Sequence, residues 1–209
     1  MVALALDSLT WPRRTARLAI RPATREDLRR VFAYRSREDV AHWMTHRPTD
    51  EDAFVEEHGT PERLPLTLVV ERRSDGLLVG DLYLHGEDAW AQREVAERAA
   101  GVQAEIGYVL DPEHGGQGYA TEAVTALVEL ALSPVPDGLG LRRVHAELFA
   151  DNGPSARLLE RVGLRLEGRG RQDSLHRDGR WLDGASYALL ADEWAARPGA
   201  AAPLRRPGG

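Results

Sequence analysis

Val102-Gln-Ala-Glu105-Ile-Gly107-Tyr-Val-Leu110, continuing directly into Asp111-Pro-Glu-His-Gly115-Gly-Gln-Gly118-Tyr-Ala-Thr-Glu-Ala123, is the stretch that decides the fold. Alternation in its first half sends Glu105, Gly107 and Val109 to one face and Ile106, Tyr108 and Leu110 to the other, the period of a β-strand. Further on, Ala120, Ala123, Val124, Leu127, Val128 and Ala131 recur at the spacing of an amphipathic helix. Gly115, Gly116 and Gly118 lie between the two. Glycines in such a turn let consecutive amides converge on an anion, and the helix N-terminus adds about half a unit of positive charge, so the turn suits a diphosphate. An ordinary flexible connection would hold the same glycines, and the loop alone does not choose between the two. No Gly-Lys-Ser/Thr follows, which excludes a nucleotide-triphosphate loop, and the spacing departs from the dinucleotide fingerprint.

Upstream, Arg17 to Arg21 reads as a strand. Thr24, Ser36 and Thr49 are each followed three residues later by Asp27, Asp39 and Asp52, an acidic form of the capping box that predicts three short helices. Leu64 to Glu71 and Leu77 to Leu84 form a hairpin around Ser74-Asp75-Gly76, and Gly86 to Ala100 is a polar insertion expected to be helical from Trp90. Downstream, Pro134, Pro136 and Gly138 stop the helix and Arg143 to Phe149 is a strand. Ser155 to Val162 is a helix ended by a left-handed Gly163, with Leu164 packing back on Leu159. Strands over 164–171 and Trp181 to Leu190 close one domain spanning 15–196, with an N-terminal extension over 1–14 and a Pro/Gly/Ala-rich, disordered tail over 197–209.

The 209 residues suit one domain with tails, and 43% hydrophobic with 29% charged residues excludes a wholly disordered chain. No apolar run approaches the ~18 residues of a membrane span, and Met1 to Leu9 carries Asp7 and no basic leader, so neither a membrane segment nor a signal peptide is expected. Cysteine is absent, which removes disulfides, thiolate metal ligands and a cysteine nucleophile and leaves the cytoplasm as the default compartment. Every one of the 27 basic residues is an arginine; against 33 acidic residues they give a net charge of -6, which argues against a nucleic-acid surface and fits cationic partners better. The seven histidines lack metal-ligand spacing, and no metal is expected.

The motif Ala104-Glu-Ile-Gly-Tyr108 and the run His114-Gly-Gly-Gln-Gly-Tyr-Ala-Thr-Glu-Ala123 stand in order with Asn152-Gly-Pro-Ser155, Leu158-Leu-Glu-Arg-Val-Gly-Leu164 and Gly179-Arg-Trp-Leu-Asp-Gly-Ala-Ser-Tyr187. Spread over residues 104–187, they resemble the GCN5-related N-acetyltransferase (GNAT) superfamily, in particular its branch of ribosomal-protein alanine, spermidine and some aminoglycoside acetyltransferases. The resemblance implies an α+β fold: a mixed, mostly antiparallel sheet flanked by helices, with a splayed parallel strand pair forming an acetyl-CoA cleft. It implies that the backbone of Val109 and Leu110 pairs with the pantetheine arm. The loop residues Gly115, Gly116, Gln117, Gly118, Tyr119, Ala120 and Thr121 would hold the pyrophosphate, and Asn152 would meet the pantetheine unless it serves only as a helix cap.

Two positions depart from the family's pattern. Gly115 stands where a Gln or Arg is usual, and Leu159 stands where many members carry the tyrosine that protonates the leaving thiolate. By resemblance Ser155 takes the acid's place, although serine is also common in a first helical turn. Glu105 is the candidate general base, acting through a water; a solvated strand carboxylate is the plainer alternative. Arg35, Trp43, Asp81, Tyr83, Asp173, His176 and Trp181 are candidates for the acceptor pocket, with core packing the competing role of the aromatics. The implied activity is acetyl transfer to a primary amine, first a protein or peptide N-terminus, then a polyamine or aminoglycoside, with a homodimer as the assembly considered. The rival is a catalytically silent, CoA-binding regulatory or assembly module.

Overall fold

In the computed structural model, which describes residues 4–197, eight strands form a single mixed sheet in the order β1-β2-β3-β4-β5-β6-β8-β7. The strands are β1 (Arg13–Arg14), β2 (Leu18–Pro22), β3 (Thr67–Arg72), β4 (Leu78–Glu87), β5 (Gln103–Leu110), β6 (Arg143–Phe149), β7 (Arg165–Leu175) and β8 (Trp181–Leu190). Every neighbouring pair is antiparallel except β5 and β6. The expected α+β architecture with one parallel pair is therefore present.

Helices α1 (Asp27–Arg35), α2 (Glu38–Ala41) and α3 (Glu51–His58) connect β2 to β3, α4 (Tyr119–Leu132) connects β5 to β6, α5 (Gly153–Val162) connects β6 to β7, and α6 (Ala191–Ala195) follows β8. The sheet's two faces carry separate apolar layers. On one, Ile20, Leu82, Leu84, Ile106 and Val144 meet Ala123, Val124, Leu127 and Val128 of α4 and Leu158 and Leu159 of α5. On the other, Val69 and Leu78 meet Leu28, Val31 and Tyr34 of α1 and Phe54 and Val55 of α3. Burying one such Leu or Val stabilises by about 1.5–3 kcal/mol, so both layers contribute substantially to holding the helices on the sheet.

The ends of these elements explain where the fold departs from the sequence expectations. Thr24 and Asp27 do form a reciprocal box: the Thr24 amide donates to the Asp27 carboxylate at 2.8 Å and the Asp27 amide to the Thr24 hydroxyl at 3.3 Å. Ser36 instead remains in the last turn of α1, its amide donating to the Phe32 carbonyl. At α3 the cap is Asp50, not Thr49; its carboxylate accepts from the Ala53 amide at 2.8 Å and adds a negative charge at the positive helix end. β4 runs on to Glu87, and the insertion beyond it holds a 3-10 helix at Arg93–Ala99, closed by the Gly101 amide on Asp88. Trp90, 91% exposed, precedes that helix and does not begin one. Gly163 does adopt the left-handed conformation (φ 112°), with the Leu164 amide on the Leu159 carbonyl at 2.9 Å.

Of the N-terminal extension, Leu6 and Leu9 are buried in the α4-side core and Arg13–Arg14 forms the edge strand beside β2. All but the first residue of the tail expected over 197–209 lies outside the described residues. No helix among the described residues is long and apolar enough to cross a membrane.

Candidate active site

The parallel pair is short. Gln103 pairs with Arg143, Ala104 with Val144 and Glu105 with His145; beyond that level β5 keeps only β4 as a partner and β6 keeps only β8. From Ile106 to Leu110 the edge of β5 facing β6 is left without a strand partner, and a slot opens through the sheet. The α4 and α5 side of the slot receives Tyr108 and Leu110, and the α1 and α3 side receives Glu105 and Val109, as the alternation along β5 requires.

At the end of β5 the chain makes a 3-10 turn over Pro112–His114 and enters the glycine loop. Gly116 (φ 73°) and Gly118 (φ 77°) occupy the left-handed region, where a side chain costs about 1–2 kcal/mol. The Gly115 amide donates to the Pro112 carbonyl at 3.0 Å, so of the three glycines this one has its donor engaged. The amides of Gly116, Gln117, Gly118, Tyr119, Ala120 and Thr121 donate to no group among the described residues. They comprise the first turn of α4 and the loop before it, an arrangement that attracts an anion through both N–H direction and helix dipole. Beneath the loop lies Arg17, which the sequence reading missed. Its Nε donates to Glu122 at 2.6 Å, its Nη1 to the Gln117 carbonyl at 2.7 Å, and its guanidinium stacks 4.8 Å from the centre of the Tyr119 ring. Thr15 adds a bond to Glu122 at 2.5 Å.

Across the slot, Asn152 caps α5 by accepting from the Ser155 amide at 3.2 Å. Ser155 Oγ lies 2.5 Å from the Tyr108 hydroxyl. Leu159, one turn on, is wholly buried in the core.

The opposite face is set by register. His85 on β4, Glu105 on β5 and His145 on β6 are direct neighbours across three strands, and Glu87, two residues beyond His85, lies over them. Glu87 meets His145 Nε2 at 2.8 Å and His85 Nδ1 at 3.6 Å. Donor atoms of His85, Glu87 and Glu105 all lie within 4.8 Å of one another, a spacing that a metal ion could share. Burial pushes the Glu105 carboxyl above its usual pKa; His145 opposes this, while Glu87 and Glu147 reinforce it. Tyr83 lies against Gly107 of β5, where a Cβ would come within 3.3 Å of Tyr83 Cβ.

Residues 17–165 match the family model described as an acetyltransferase (GNAT) domain. The chain belongs to the GNAT acetyltransferase family. Acetyl-CoA is the acyl donor of this family. The uncharacterized N-acetyltransferase YoaA of Bacillus subtilis is 30% identical over 84% of this chain and 94% of its own length. A GNAT-family acetyltransferase structure from Bacillus anthracis, 27% identical, superposes with a TM-score of 0.69 over 86% of this chain and 98% of its own. The spermidine N-acetyltransferase of Vibrio cholerae, determined with CoA and spermine, shares the fold at a TM-score of 0.69 and 18% identity, covering 86% and 99% of the two chains.

Within this GNAT domain the remaining candidates separate. Asp81 is fully buried and takes hydrogen bonds from the Tyr34 hydroxyl at 2.6 Å and from both Nε and Nη2 of Arg35. This pair pins α1 to β4; an acceptor amine would have to displace Arg35 to reach Asp81. Asp173 accepts from the Gly184 amide at 2.7 Å in the irregular β7–β8 pairing, which engages it structurally. His176 is buried, with Nε2 2.9 Å from the His42 carbonyl and Nδ1 3.0 Å from Asp178, so it clasps the end of α2 to the β7–β8 hairpin. Trp43, His176 and Phe149 form one aromatic group, with ring centres 5.5–6.2 Å apart, on the same sheet face as Glu105. Trp181 is 57% exposed at the start of β8, opposite Leu175. A cavity of about 630 Å³ lies apart from the Glu105 cluster, lined by Arg30, Tyr34, Arg37, Leu77, Asp111 and Glu113 among others.

Proposed function

We infer that this protein transfers the acetyl group of acetyl-CoA to a primary amine, the donor entering from the α4 and α5 side of the slot and the amine from the Glu105 side. The observation that carries this reading is the opening of the β5–β6 pair at Glu105, between the free amides of residues 116–121 and Ser155 on one face and the carboxylate–imidazole row on the other. The loop amides suit the pyrophosphate of CoA, and the unpaired edge at Val109 and Leu110 suits the amide groups of its pantetheine arm.

In the reaction Glu105, through a water, removes a proton from the ammonium. The freed lone pair attacks the thioester carbonyl carbon, whose oxygen draws on backbone N–H near Leu110, and the C–S bond then breaks with its electron pair on sulfur. Ser155 supplies the proton to sulfur. The need for a base depends on the acceptor: an alkyl amine of pKa about 10.4 costs ~4 kcal/mol to deprotonate at pH 7.4, an α-amino group near 7.8 under ~1 kcal/mol. A peptide N-terminus is the acceptor expected from the branch resemblance. The carboxylates of Glu87, Glu105 and Glu147 beside the aromatic group favour an acceptor that carries positive charge, and a polyamine or aminoglycoside meets that description as well.

The test is thiol release from acetyl-CoA, read with a disulfide dye, across N-terminal peptides, polyamines and aminoglycosides. The chain has no cysteine, so the protein adds no background. Turnover with one class supports the reading and names the acceptor; acetyl-CoA binding by calorimetry with no turnover on the whole panel replaces it with the silent CoA-binding module.

A further inference from the structure

The bond between Tyr108 and Ser155 joins β5 to the first turn of α5 where the strands themselves have parted. Its members lie 47 residues apart, and the Tyr108 hydroxyl is also 3.3 Å from the Ser155 carbonyl. Serine alone is a poor acid for this reaction. An aliphatic alcohol gives up its proton far less readily than a thiol, so a serinate left beside a new thiol would take the proton back. A phenol, ordinarily near pKa 10, lies far closer to a thiol near 8.5 than an aliphatic alcohol does, and it stays the better source although burial pushes the Tyr108 phenol upward. Among the other hydroxyls on this side of the sheet, Tyr187 is directed to Glu160 at 3.3 Å, and position 159 holds a buried leucine.

Resting on the acetyl-transfer reading, we propose that Tyr108 is the proton source behind Ser155. As the C–S bond breaks, sulfur takes the Ser155 hydroxyl proton and Ser155 takes the phenolic proton of Tyr108; water then reprotonates the tyrosinate. The ammonium loses one proton through Glu105 before attack and a second after it. One proton returns through solvent to Tyr108, so each turnover releases one. Tyr108 thus acts through Ser155, as a relay and positioning residue. Its phenol is protonated at neutral pH, as an ordinary phenol is; burial raises its pKa further, and the Ser155 bond pulls the other way.

Tyr108→Phe, Ser155→Ala and the double variant test this by two readouts. With the best acceptor, Tyr108→Phe is expected to lower kcat about tenfold with KM for acetyl-CoA unchanged. The double variant should be no slower than the slower single one, because the two hydroxyls act as a unit. The second readout is the pH titration of the bound CoA thiol, followed by thiolate absorbance. In a cysteine-free chain this is the sole thiol of the complex. Donors aimed at sulfur stabilise the thiolate, so the wild type should titrate at lower pH than either variant. Wild-type kcat and an unmoved thiol titration in Tyr108→Phe overturn the proposal, as do losses that multiply in the double variant. The titration needs no acceptor. A wild type that acetylates nothing, yet has a thiol sensitive to Tyr108→Phe, overturns the acetyl-transfer reading and supports the contact to sulfur.

Discussion

On the α4 side of the slot the groups suited to an anion are main-chain amides from one uninterrupted stretch, Gly116 to Thr121, with the Tyr108–Ser155 hydroxyl pair beside them. On the other side the groups are side chains from β4, β5, β6, the α2 region and the β7–β8 turn, drawn from positions between Trp43 and His176. The contrast teaches how such a domain can keep one donor and change its acceptor. Amides answer to backbone conformation and tolerate many substitutions, whereas each group on the acceptor face is altered by a single side-chain change.

Glu105→Gln is the strongest way to break that contrast. Rates with an alkyl amine at pH 7.4 should fall on the order of 10³-fold, and those with a peptide N-terminus by less than about tenfold, with acetyl-CoA affinity unchanged. Steady-state kinetics with the two acceptors checks both. An equal loss on both would remove Glu105 from the role of base. Gly118→Ala attacks the opposite wall. Strain at φ 77° should weaken acetyl-CoA binding about tenfold by calorimetry and leave KM for the amine unmoved.

Smaller effects sharpen the picture. Arg17→Ala removes the brace under the loop; its side chain is 48% exposed, so acetyl-CoA affinity should drop by only about fivefold. No loss would mean that the loop holds its shape unaided. Smallest is Glu147→Gln. Glu147 raises the Glu105 pKa, and a base works only when deprotonated, so removing this charge should move the acid limb of kcat/KM to lower pH, more at low salt than at high. A limb that moves upward would contradict the assignment.

The strand, glycine loop and helix from Gln103 to Leu132 were legible because every signal there is local: a period of two, three glycines, then a period near 3.6. What escaped is what depends on register between distant segments. Nothing local says that Arg17 lies under Gln117, or that Tyr108 meets Ser155. The row His85, Glu105, His145 exists only once three strands are aligned. Arg35 and Asp81 show the converse: each was a fair candidate for the acceptor pocket, and they satisfy one another. Thr24 and Asp27 pair as expected, whereas Thr49 fails as a cap for a smaller reason: at Thr49-Asp50 two adjacent residues both suit the role and the carboxylate takes it.

The short β5–β6 seam also coincides with a division of the chain. Everything on the β1–β5 side precedes Leu110, everything on the β6–β8 side follows Arg143, and α4 lies between them against strands of both halves. The connection after α4 runs over an exposed tip at Pro134–Asp137. A cut there crosses no strand, so two fragments, residues up to α4 and β6 onward, are expected to reassociate, with the slot restored only where the pieces meet.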